Sequence, residues 1–150
     1  MRSSISPSTR VTSYLLAAAV VAASLLSGCM MMAKAPSDLD YSRTRTSRSH
    51  RYVATIRPDG DSIPKGKLQR WTLHLETTSG VPVDSATIAV DGGMPQHGHG
   101  LPTKPRVTRA LGHGDHLVEG MKFNMGGWWV VKFRVASAQG ADSVVFNLSL

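Results

Sequence analysis

The chain has 150 residues, 17 Lys and Arg against 10 Asp and Glu, a formal net charge of +7 and a single cysteine. That length holds one small domain with flanking segments, and a lone cysteine excludes an internal disulfide framework. The basic balance does not mark a nucleic-acid binder, because from Tyr52 onward 10 Lys/Arg stand against 8 Asp/Glu and the excess lies upstream.

Residues 1–28 read as an export signal. Arg2 and Arg10 supply a positive start, and Tyr14 to Leu26 is apolar, Ala-rich and uncharged. This run is shorter than the ~20 apolar residues that a membrane-spanning helix needs. It closes on Leu26-Ser27-Gly28-Cys29, which resembles the lipobox of bacterial lipoproteins. The resemblance implies cleavage before Cys29, a lipid on its sulfur, and tethering to the outer side of a membrane. Met rather than Asp at residue 30 implies the outer membrane, with the chain facing the periplasm. An ordinary signal peptide or a membrane helix with a chance cysteine is the plainer alternative. With Cys29 lipidated, no thiol remains for a nucleophile, a cysteine zinc site or a blue-copper centre.

Residues 29–51 are poor in large apolar side chains and rich in Ser, Thr and Arg, so a disordered tether is expected there. Its Lys34, Arg43, Arg45, Arg48 and Arg51 outnumber Asp38 and Asp40 and suit anionic lipid headgroups. Met30, Met31 and Met32 are read as interfacial apolar residues, with soft metal ligation as the alternative.

Residues 52–150 form the expected folded domain. Helical periodicity is absent and strand alternation prevails. Trp71, Leu73 and Leu75 alternate with Thr72 and His74; Ile88 and Val90 with Thr87 and Ala89. Trp129, Val131, Phe133 and Val135 alternate with Val130, Lys132 and Arg134, and Val144, Phe146, Leu148 and Leu150 with Val145, Asn147 and Ser149. Turn signals lie between them at Pro58-Asp59-Gly60, Ser79-Gly80, Asp91-Gly92-Gly93, Gly112 to Gly114, Gly126-Gly127 and Gln139-Gly140. Short strands at this spacing predict an all-β, immunoglobulin-like antiparallel β-sandwich.

Chemistry concentrates in Met94-Pro95-Gln96-His97-Gly98-His99-Gly100 and Met121-Lys122-Phe123-Asn124-Met125. In an extended chain, residues two apart point the same way, so His97 and His99 can present two imidazoles to one point. Met94 adds a thioether, and Met125, beside the Gly126-Gly127 turn, can reach the same end of a sandwich. Thioether with imidazole is a soft, neutral donor set that suits Cu(I), and the imidazoles alone also suit Cu(II) or Zn(II). Met94, His97, His99 and Met125 are therefore the candidate copper ligands. His113, His116 and Met121 are further candidates; the bland readings are a solvated turn histidine, a packing histidine and a core methionine. His74, on a polar strand face, and His50, in the tether, are read as structural. Asp91, Asp115 and Glu119 are nearby carboxylates, but no spacing recommends a zinc hydrolase, and no nucleophile–base pair is visible, so a non-enzymatic role is expected.

The Met94-Pro95-x-His97-x-His99-Gly100 loop with Pro102 and Pro105, together with Gly120-Met121-x-Phe123-x-Met125-x-Gly127-Trp128-Trp129, resembles the YtkA-like and FixH-like exported domains over Lys67 to Leu150. The resemblance implies an immunoglobulin-like sandwich and a link to copper handling and haem–copper oxidase assembly. FixH-like proteins carry a membrane helix where this chain carries a lipobox, and His116 stands where the family pattern leads one to expect an aromatic. The leading expectation is a membrane-anchored lipoprotein that binds copper and passes it to a receiving or envelope protein, with Trp128 shielding the site. The alternative is a metal-free envelope interaction module.

Overall fold

A computed structural model describes residues 35–150. Tyr52–Pro58 (β2) and Gln69–Thr77 (β3) hide alternate side chains, and so do Asp115–Met121 (β7), Trp128–Ser137 (β8) and Gly140–Ser149 (β9). One buried face per strand is what a two-layer all-β fold requires. Thr44–Thr46 (β1), Ala86–Met94 (β4), His99–Gly100 (β5) and Arg106–Gly112 (β6) complete two antiparallel sheets. The five-stranded sheet runs β1-β2-β3-β7-β6 and the four-stranded sheet β5-β4-β8-β9. Among the described residues there is no α-helix, only a 3-10 turn at Pro95–His97.

The inner faces meet in one apolar core. Trp71, Leu73 and Leu75 from β3 and Ile56 from β2 oppose Trp129, Val131 and Phe133 from β8 and Phe146 from β9, all fully buried. The aromatic rings cross the interface: Trp71 stacks on Phe123 at 5.7 Å, and Phe123 meets Trp129 edge-on at 5.2 Å. Such offset and T-shaped pairs add to the stabilisation from burial alone. The described residues, 35–150, fall within one compact unit, and every member of the core lies inside it. A fragment with those bounds therefore holds all it needs to fold alone.

The ordered chain starts earlier than residue 52. Thr44–Thr46 pairs with Val53 to Thr55, so the expected tether over 29–51 is corrected at its C-terminal part. Polar composition misleads here because the segment is ordered by hydrogen bonds to a distant strand. Ser47, only 2% exposed, donates through Oγ to Asp142 Oδ2 at 2.7 Å, and the Ser49 amide donates to the same carboxylate at 3.0 Å. Asp142 is desolvated, which raises its pKa, but the bonds from Ser47 and from the Ser143, Ser49 and Arg51 amides outweigh this and lower it to about 2. The signal, Cys29 and Met30 to Met32 lie outside the described residues.

Two local readings also change. Asp91-Gly92-Gly93 is not a turn but the last part of β4. The glycines are there because two backbones close in: a Cβ on Gly92 would collide with the Val130 carbonyl oxygen, and one on Gly93 with that of His99. β6 escaped the alternation pattern because it is a largely exposed edge strand.

Candidate metal centre

β4 ends at Met94, and Pro95–His97 makes one tight turn. Gly98 then takes the left-handed conformation at φ 64°, which is cheap only for glycine, and its amide donates to the Met94 carbonyl at 3.0 Å. The chain folds straight back as β5, pairing Met94 with His99 and Gly93 with Gly100. Directly opposed residues of an antiparallel pair project on one face, so the Met94 and His99 side chains leave the loop together.

His97 and His99 are both exposed, and their rings stack at 5.7 Å and 23°. His99 also stands edge-on to Trp129, with ring centroids 6.0 Å apart. The Trp129 Nε1–H donates to the Met125 carbonyl at 3.1 Å. Met125 is 38% exposed. Trp129 thus links the two sequence blocks at one end of the sandwich. Met94 is 1% exposed, part of the core, and its Cε lies against Gly127. Of the four candidate ligands, His97, His99 and Met125 are solvent-accessible at this end, and Met94 is a buried thioether on the loop they share. An open cleft of about 390 Å³ borders Met94 and His99, between Gly93, Val130 and Lys132.

The donor chemistry fits a soft monovalent ion better than a hard one. His99 Nδ1 lies 3.3 Å from the Gly100 carbonyl, and its Nε2 has no hydrogen-bond partner among the described residues. Among the described residues, no group of three or more His, Cys, Asp or Glu converges as a metal cluster. Imidazole together with thioether is a donor set of the kind that suits Cu(I).

The further candidates are occupied in other ways. His116 is 1% exposed and its Nε2–H donates to the Val83 carbonyl at 2.7 Å, so it is a packing histidine. Met121 is fully buried in the core. His113 lies in the β6–β7 turn at φ 54°, while Gln69 pairs with Met121 at the other end of β7. His113 and His116 therefore lie at the far end of β7 from the hairpin, whereas Met121 lies at the near end but is enclosed in the core. Nor does Trp128 shield the loop: its Nε1–H donates to Asn147 Oδ1 at 3.1 Å on the outer face, and the contact to His99 belongs to Trp129. Of the carboxylates, Asp115 is held by Arg57 and His74, and Asp91 lies 3.6 Å from Arg134.

The structure therefore defines a two-sheet β-sandwich with a Met/His hairpin closing one end. The YtkA-like family model matches residues 48–134, more than half of the sequence, and the chain belongs to that family. The match begins earlier than the expected Lys67 and takes in β2, in keeping with the earlier start of the fold. No curated protein and no solved structure matches the chain.

Proposed function

We propose that this is an exported lipoprotein, anchored at Cys29 to the outer membrane on its periplasmic side, whose sandwich carries a Cu(I) ion for handling or delivery. His97, His99 and Met125 are the accessible ligands, and Met94 supplies a thioether from beneath the loop. The carrying observation is the stacked, exposed His97–His99 pair, tied through Trp129 to the Met125 backbone. A carrier needs soft ligands near the surface so that a receiving protein can take the ion by ligand exchange. This end offers them without a nucleophile–base pair, and the role is transport rather than catalysis.

The burial of Met94 favours a second reading, in which the methionines are packing and the hairpin is a recognition surface for another envelope protein. Anaerobic Cu(I) competition on residues 33–150, beside a variant with His97→Ala, His99→Ala and Met125→Ala, decides between them. Copper carriage requires one-to-one binding that the variant loses by about a hundredfold or more. If a moderate chelator strips the ion from the unaltered protein, the interaction-module reading replaces it.

A further inference from the structure

We infer that the outer face of the β5-β4-β8-β9 sheet is a docking surface for an anionic phospholipid membrane. A shallow groove of about 620 Å³ crosses this face. Its floor includes the small residues Ala89, Ala136 and Ala141, and Arg48, Lys132 and Arg134 line it. Arg48 is not a stray surface cation. Its amide donates to the Ser143 carbonyl at 2.8 Å, and the Asp142 carboxylate beside it holds the Ser47–Arg51 turn by several bonds. That carboxylate is spent on the turn, and among the described residues neither Arg48 nor Lys132 has an ion-pair partner. Arg134 has only a distant one, Asp91 at 3.6 Å.

The opposite face differs. On the outer side of the five-stranded sheet, Arg57 pairs with Asp115 at 2.5 Å and Arg70 with Asp59 at 3.2 Å, and His74 lies 2.7 Å from Asp115. These pairs neutralise one another, although among the described residues Arg106 and Arg109 on the edge strand β6 have no ion-pair partner; on the grooved face Arg48 and Lys132 are left for an outside partner.

Two more features identify that partner as a bilayer. Trp128 lies along the grooved face, and Val145 is 39% exposed there. Aromatic and aliphatic groups among cations suit the headgroup region, where rings sit at the boundary and Lys and Arg reach phosphates. The chain also leaves from this side: Asn147, bonded to Trp128, donates through Nδ2 to the Asp40 carbonyl at 3.1 Å. Upstream lies Cys29, only 11 residues from Asp40. Three cations bind a bilayer only weakly, but a tether that short gives the face a high effective concentration at its membrane. The biological setting rests on the anchored reading above; the surface chemistry rests on neither the anchor nor copper.

The test uses residues 33–150, without Cys29, in low salt with vesicles of phosphatidylcholine alone or mixed equally with phosphatidylglycerol. Expected is binding to the mixed vesicles only, lowered at least about tenfold by Arg48→Ala with Lys132→Ala and Arg134→Ala. Arg106→Ala with Arg109→Ala, on the edge strand of the other sheet, leaves it unchanged. Brominated phosphatidylglycerol quenches tryptophan fluorescence, and Trp128→Phe removes that quenching. Equal binding to both vesicles, no binding to either, an equal loss from the Arg106/Arg109 pair, or quenching that survives Trp128→Phe would each overturn the docking surface. All of these outcomes are read without copper.

Discussion

The two ends of the sandwich both carry histidines, and they differ in what the rings are already doing. At the end opposite the hairpin, His116 is buried and spends Nε2 on the Val83 carbonyl, and His74 lies between Asp115 at 2.7 Å and Glu76 at 3.6 Å. At the hairpin end, His97 makes no hydrogen bond among the described residues, and His99 makes one long contact to its neighbour's carbonyl. A ring whose nitrogens are already bonded is part of the structure; a ring left exposed with a free lone pair can receive an ion.

That contrast is sharpest where one histidine is structural and the other is not. His116→Ala should lower stability by about 3 kcal/mol, because it opens a cavity and strands the buried Val83 carbonyl. Denaturant unfolding measures this, and the folded variant should bind Cu(I) as the unaltered protein does. Weaker Cu(I) binding by folded His116→Ala would dissolve the distinction between the two ends.

His99→Ala should do the reverse. Its ring is exposed, so stability should move by less than about 0.5 kcal/mol. Cu(I) affinity should drop at least about thirtyfold, or about 2 kcal/mol, in the same competition titration. A loss of stability without a loss of affinity would make the hairpin a structural element after all.

Much of this arrangement is legible in the amino-acid sequence. Inward apolar residues imprint alternation on β3, β8 and β9, so the sandwich follows from Trp71, Leu73 and Leu75 and their counterparts. What stays hidden lacks a local signature. The order of Thr44–Thr46 depends partly on Ser47 meeting Asp142, 95 residues away, and no window of sequence contains that pair. Gly92 and Gly93 look like a turn, because glycine at a close backbone approach and glycine in a turn read identically. At the site, the His-x-His spacing is readable because both rings belong to one short hairpin. The choice of Trp129 over Trp128 is not, since the alternation of β8 gives the inward face but not which ring meets the hairpin.

The smallest effect extends the same distinction to a carboxylate. Asp142 is as fully occupied by hydrogen bonds as His116, with its oxygens taken by Ser47 and the neighbouring amides. Its pKa in the fold is lowered from 3.8 to about 2, so its contribution is fully present above pH 4 and is lost as pH falls through about 2. Asp142→Asn should therefore destabilise the sandwich by about 1 kcal/mol at neutral pH. The gap from the unaltered protein should close between pH 4 and pH 2, the interval between the two pKa values. Unfolding curves across that interval check the sign. A difference that held constant with pH would mean that the turn depends on the shape of residue 142 and not on its charge. Arg48 would then owe its place over the groove to packing alone.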